Sequence, residues 1–482
     1  MFKEAHRAGR GGLPWGLLAL VVALVQGGCT RPNPHYCDEA TQCPEGLTCL
    51  MDLNLCVPAD GGTGDGPVLC HVSPECSDPE RPICEANQCR QCGSDAECED
   101  RSSSTPVCVG GRCMECRVSA DCGPDLPVCG SDGRCKACER DVECLVAGGD
   151  PAPVCLSGRC LPSEDVLWVD VAANCSMANG SRGAPFCQIK DAITAALSDP
   201  RRAIVAHHGA YQRFEVRDVR LTGLMIVGYP GAGEVRVEGP SNLPVVLVQM
   251  EGTITLRRLR LKGASSQDVF SCSDAACTLE EMEIDSGEIG VRATNAQPLV
   301  VRRSRIHHNT ASGIYVDAYS SYRIENNFIF VNGSPTSLLA AVHFESSFGI
   351  TEFVNNTVYL NTVAPNNTAG VRCDSNKVIV RNNILWGNRS GTSVKEVNRE
   401  GQVPVCDVTY SVIDEADLAA AGHNVGMQPT FVSDVAPYDL HLTEGSSGID
   451  AGDGTVAPTG DIDGDARPYG AAVDVGADEW VP

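Results

Sequence analysis

Apolar and polar positions in the second half of the chain recur with a common phase. A nine-residue phrase reads LRRLRLKGA from Leu256, LEEMEIDSG from Leu279, VRRSRIHHN from Val301, IENNFIFVN from Ile324, FVNNTVYLN from Phe353 and VRNNILWGN from Val380. The spacings are 23, 22, 23, 29 and 27 residues. A strand-like repeat of that length, rich in Asn, Val and Ile, predicts a solenoid, in which a coil buries its apolar face against its neighbours. The strands before the later phrases align as IGVRAT from Ile289, SGIYVD from Ser312, AAVHFE from Ala340 and AGVRCD from Ala369. Strand alternation sends Val291, Ile314, Val342 and Val371 inward, with Ala293, Val316, Phe344 and Cys373. Two outward columns follow, spaced at about 4.8 Å per coil. One is Arg292, Tyr315, His343 and Arg372; the other is Thr294, Asp317, Glu345 and Asp374.

The pattern changes period upstream. Ile189, Ala192, Ile193, Ala196 and Leu197 form one helical face, closed by Asp199-Pro200, and predict a helix that caps the open end of the stack. Two Asn columns run through the phrases: Asn309, Asn332, Asn361 and Asn388, and Asn326, Asn355 and Asn382. Asn tolerates left-handed turns, and stacked amides bond along a solenoid axis, so both columns are read as structural. His307-His308 is read as a surface pair lacking a carboxylate partner in the adjacent phrase. Phase matching predicts disulfides Cys272–Cys277 and Cys373–Cys406, and Cys175 and Cys187 flank one loop and are expected to pair.

The first half has a different grammar. Residues 1–28 have the layout of an export signal, with Lys3, Arg7 and Arg10 before an apolar run from Leu13 to Val25. Gly27-Gly28-Cys29 resembles a bacterial lipoprotein signal, which makes Cys29 the lipidated residue; Gln26 departs from the usual Leu, and plain signal cleavage is the alternative. Removing Cys29 from 27 cysteines leaves an even number for pairing. After a linker (29–36), residues 37–160 hold five groups of four cysteines, each opening with a pair separated by five residues. Units of this size lack a core and need staples, and export makes those staples disulfides rather than zinc. Spacing leaves three connectivities open per unit. The units resemble EGF-like or Dickkopf-like modules and read as a stiff spacer or, second, a protein-binding stalk.

Charge and family likeness narrow the function. With 37 Lys+Arg against 62 Asp+Glu, the chain is unsuited to nucleic acid. Residues 161–482 resemble the pectin-lyase-like right-handed parallel β-helix superfamily. The resemblance rests on the entry strand VLWVDV from Val166, the capping helix, the repeats, and a tail with Ile449-Asp450-Ala451-Gly452, Asp461-Ile462-Asp463-Gly464, Arg467-Pro468 and Val473-Asp474-Val475-Gly476, similar to that superfamily's C-terminal cap. The Asp461, Asp463, Asp465 run is read as a polar capping turn, since the EF-hand pattern is not met. The expected fold class is mainly β, a β-helix after a small disulfide-rich region. In uronate-cleaving members calcium sits on Asp/Glu beside a basic residue. By that likeness Asp317, Glu345 and Asp374 are candidate Ca²⁺ ligands, His343 and Arg372 candidate catalytic groups, and Tyr315 and Arg292 candidate substrate contacts. No Asp-Asp dipeptide or Gly-His-Gly occurs, which disfavours a polygalacturonase-type hydrolase. The preferred reading is a monomeric, non-catalytic surface lipoprotein of the outer membrane or cell surface, anchored by lipid and binding a polysaccharide or surface protein. The alternative is a calcium-dependent polysaccharide lyase or epimerase.

Overall fold

The computed structural model describes the backbone of Leu47–Leu50 and Leu55–Pro58, then Cys70 and residues 72–482 apart from 232, 346, 375–376 and 399–405. Cys29, and Cys37 and Cys43 of the first four-cysteine group, lie outside the described residues. Residues 1–69 form one compact unit and residues 70–482 another. In the first, Leu47–Leu50 pairs antiparallel with Leu55–Pro58.

The second unit contains a right-handed parallel β-helix. Its first sheet has ten strands, from Val166–Val169 to Cys406–Thr409; the second has nine, from Gly209–Gln212 to Val412–Ile413; the third has seven, from Phe214–Val216 to Val371–Cys373. The predicted inward columns are the interior: Val291, Ile314, Val342 and Val371 stack in register and are fully buried. Burying each such side chain contributes about 1.5–3 kcal/mol. The helix Ile189–Ala196 closes one end with Ile189, Ala192, Ile193 and Ala196 buried. At the other end Leu418 and Ala419, around the short helix Ala416–Ala419, pack on the same core.

Both Asn columns are structural, by different means. Asn326, Asn355 and Asn382 take positive φ of 54°, 51° and 57° at the corner between the first and second sheets. Asn309, Asn332, Asn361 and Asn388 form a buried ladder, each amide oxygen accepting the backbone N–H of the preceding coil's member at 2.7–3.2 Å. A second ladder, Ser304–Asn327–Asn356–Asn383–Ser411, runs beside the positive-φ corner and was not anticipated. The disulfides Cys175–Cys187, Cys272–Cys277 and Cys373–Cys406 are present as expected.

The four described cysteine units share one connectivity, first to third and second to fourth, as in Cys70–Cys84 with Cys76–Cys89 and Cys138–Cys155 with Cys144–Cys160. They are not a detached stalk. Ala152 and Val154 of the last unit pack with Trp168, Val205 and Val227 on the outer face of the first sheet. Asp141 pairs with Arg257 and Arg258 of the β-helix at 3.2 and 2.8 Å.

The tail also differs from expectation. It does not close the end of the stack; it lies along the outer face of the second sheet, where Phe328, Phe330 and Tyr359 pack with Leu440, Ile462 and Ala477. Corner asparagines hold it: Asn326 donates to Gly460 O at 2.6 Å, Asn355 to Asp474 O at 3.0 Å and Asn382 to Asp453 O at 2.9 Å. The aspartate run is a polar turn, with Asp461 Oδ1 accepting the N–H groups of Asp463, Gly464 and Asp465 at 2.8–2.9 Å.

Candidate functional site

With the last cysteine unit on the first sheet and the tail on the second, the third sheet keeps a polar outer face. Its strands alternate apolar-in and polar-out, and ladder register stacks Ser271, Arg292, Tyr315, His343 and Arg372 in one column. The Arg292 guanidinium lies 4.8 Å from the Tyr315 ring centre and donates to Asp268 at 2.6 Å. The Tyr315 ring meets His343 edge-on, with centroids 5.2 Å apart. Thus the four candidate binding and catalytic residues come together as the column requires.

The carboxylate column is engaged by the same residues. His343 Nε2 lies 2.8 Å from Asp374 Oδ2, and Arg372 Nε donates to both Asp374 oxygens at 2.8 and 3.0 Å. The Tyr315 hydroxyl donates to Glu345. Burial works to raise the Asp374 carboxyl, but Arg372 and His343 outweigh it and hold it below the usual carboxylate range. Asp317 follows Thr294 in register, and its Oδ1 is buried without a hydrogen-bond partner. Calcium takes six to eight oxygens. A column in which Asp374 is held by Arg372 and His343 and Glu345 by a phenol does not fit that ion.

His343 is built for position rather than proton transfer. It is only 5% exposed, and its Nδ1 is buried with no partner. Burial pushes the imidazole below its ordinary value, against the pull of Asp374. The nitrogen left to accept a proton therefore has no route to a substrate on the open face.

The His307-His308 reading needs correction. Glu283 and Asp285, in the adjacent phrase, are partners on the second sheet: His307 stacks directly on Asp285, and its Nε2 lies 3.3 Å from Glu283. These partners are set by ladder register, one coil away, and not by position within the phrase. Arg260 occupies the same carboxylates, donating to Asp285 at 2.9 Å and lying 3.6 Å from Glu283. That engages carboxylate oxygens a metal would need.

The comparisons agree with the fold. A family model described as "Right handed beta helix region" matches residues 245–405. Among solved structures, the chain is similar to pectate lyase Pel9A, with 16% identity over 66% of this chain and 96% of that one, at a TM-score of 0.32. It is also similar to a rhamnogalacturonan lyase, with 12% identity over 56% of this chain and 90% of that one, at a TM-score of 0.32. No curated protein matches the chain. Likeness at this level carries no statement about chemistry.

Proposed function

We propose that this protein is a non-catalytic, exported surface lipoprotein that binds a glycan on the outer face of its third sheet. The observation that carries the reading is the column itself. Arg292, Tyr315 and Arg372 line an open sheet face, on which His343 and Asp374 are locked to one another. A glycan stacks on the Tyr315 ring and takes hydrogen bonds from the flanking guanidiniums. Disulfides in every described cysteine unit accord with export to an oxidising compartment. Lipid on Cys29 supplies the anchor, and a Cys29→Ala variant is expected to leave the membrane fraction.

The test is retention of the full chain on immobilised neutral and uronate polysaccharides, with ultraviolet absorbance followed in parallel for unsaturated product. Retention weakened at least tenfold by Tyr315→Ala, with no product formed, supports binding. Product that appears with the native chain and disappears in Asp374→Asn would overturn it in favour of a lyase.

A further inference from the structure

A second site lies where the last cysteine unit, the β-helix and the tail meet. It is a cavity of about 330 Å³ whose lining sets five basic side chains, Arg140, Arg258, Arg303, Arg305 and His441, against three carboxylates, Glu281, Glu283 and Asp463. It sits against the corner between the first and second sheets, away from the Tyr315 column.

Charge at this corner alternates from coil to coil. Arg257, Glu280, Arg302 and Glu325 stack in register at the end of the first sheet. Arg258, Glu281 and Arg303 follow them, all with positive φ of 50–53°. At the start of the second sheet Arg260, Glu283 and Arg305 continue the alternation. Glu280, Glu281 and Glu283 thus lie between cations: Glu280 pairs with Arg257 and Arg302, both at 3.1 Å.

The third column breaks off. The residue stacked on Arg305 in the next coil is Phe328, where the alternation calls for a carboxylate. Arg305 lies over the Phe328 and Phe330 rings at 5.6 and 5.5 Å and donates to the Tyr438 carbonyl at 3.0 Å. Among the described residues it has no carboxylate partner within ion-pair distance. Glu283, its neighbour on the other side, is drawn to His307 at 3.3 Å and Arg260 at 3.6 Å.

The other cations around the cavity are partly paired, Arg258 with Asp141 at 2.8 Å and Arg303 with Glu280. Glu281 is shared by Arg140, Arg258 and Arg303 at 3.4, 3.5 and 3.6 Å. The buried Nε atoms of Arg140 and Arg303 have no hydrogen-bond partner. His441, between Asp463 and Asp439, is pushed up to about 9 by Asp463, against the effect of burial, so it is cationic at neutral pH. Donors therefore converge on a space whose ladder lacks its next anion.

We infer that this cavity binds an oxyanion, the carboxylate or sulfate group of a small ligand, which completes the ladder at Arg305. Planar guanidiniums hold such groups through paired N–H donors. The volume is at the lower end for ligand pockets, which suits a single acidic sugar. Two sources share this chemistry, a uronate and a sulfated sugar.

The test is calorimetric titration of the full chain with glucuronate, inorganic sulfate and glucose. Glucuronate and sulfate are expected to bind, and glucose is not. Affinity for both anions is expected to fall at least tenfold in Arg305→Gln and in Arg140→Gln, and to stay unchanged in Arg220→Gln, a surface arginine paired with Asp218 outside both sites. Arg140→Gln alters a cysteine-unit residue outside the β-helix core, so it reads the site even where Arg305→Gln disturbs the tail. Absence of binding by both anions overturns the inference, as does equal loss in Arg220→Gln. Sulfate binding without glucuronate binding assigns the site to sulfated ligands. Because the arginines on trial differ from Tyr315, loss of this site and loss of the glycan face are separately visible.

Discussion

Replacing Asn361 tests the physical account of the fold. Its Oδ1 accepts from Asn332 N and Nδ2 at 2.7 and 3.1 Å, and its Nδ2 donates to Asn388 Oδ1, Ile329 O and Tyr359 O at 2.8, 3.1 and 3.2 Å. All of this is buried. Asn361→Ala leaves the Asn332 backbone N–H with no acceptor, a penalty of about 1–3 kcal/mol. The amide-sized void adds about 1 kcal/mol, so the expected loss is roughly 3 kcal/mol. At ~2–4 °C per kcal/mol, and less for longer chains, Tm falls by several degrees. Asn361→Asp keeps the acceptor for Asn332 but turns its second oxygen toward three acceptors. That carboxyl must stay protonated, so its folded pKa is raised. Its contribution is fully present below the unfolded value of about 3.9 and is lost as pH rises through the folded one. The Asp variant should approach the native Tm near about pH 4 and fall well below it at neutral pH. Calorimetry or circular dichroism against pH reads both. A loss under about 1 kcal/mol for Ala, or a pH-independent Asp variant, refutes the ladder as a stabilising element.

Glu396 terminates that ladder, fully buried and accepting from Asn388 N and Nδ2. Burial raises it from 4.5 to about 8. Its contribution favours the folded state below about pH 4.5 and is lost as pH rises to about 8, so Glu396→Gln should flatten denaturant midpoints over that window. His441, raised from 6.5 to about 9, contributes fully below about pH 6.5 and loses its effect as pH passes about 9. His441→Gln should therefore cancel an alkaline loosening of the tail, read by hydrogen exchange at residues 439–463. Removing Cys144–Cys160, which closes a 16-residue separation, should cost about 3 kcal/mol and open residues 161–165 to proteolysis without unfolding the β-helix.

The repeats, inward columns, capping helix and the disulfides Cys272–Cys277 and Cys373–Cys406 were legible because each rests on phase, and a solenoid turns phase into contact. What escaped was the covering of the outer faces. The cue was present as lost alternation: Phe328-Ile329-Phe330 and Ile384-Leu385-Trp386 are apolar on both faces, as are Val166–Val169 and Ala203–Ala206. A strand apolar on both faces is buried on both. Motif similarity in the tail favoured an end cap and masked that cue. The partners of His307 were missed because they lie one coil away. The cysteine connectivity was open because spacing permits three pairings, and the fold selects one.

The same reasoning separates the roles of the three sheets. The first sheet loses alternation at its early strands, where Ala152 and Val154 cover it, and the second at its late strands, where Leu440 and Ala477 cover it. Both coverings are held at one corner, by Arg258 upstream through Asp141 and by Asn326, Asn355 and Asn382 downstream. A non-Gly residue at positive φ carries a strain cost, least for Asn. Arg258, Glu281 and Arg303 hold that conformation without the relief Asn has. Their compensation is the ion network to the cysteine unit, in which Arg140 reaches both Glu281 and the Asp463 carbonyl. The corner therefore fastens two segments from opposite ends of the chain to one side of the β-helix. The third sheet is left as the face whose strands keep a polar outward row from Arg292 to Arg372.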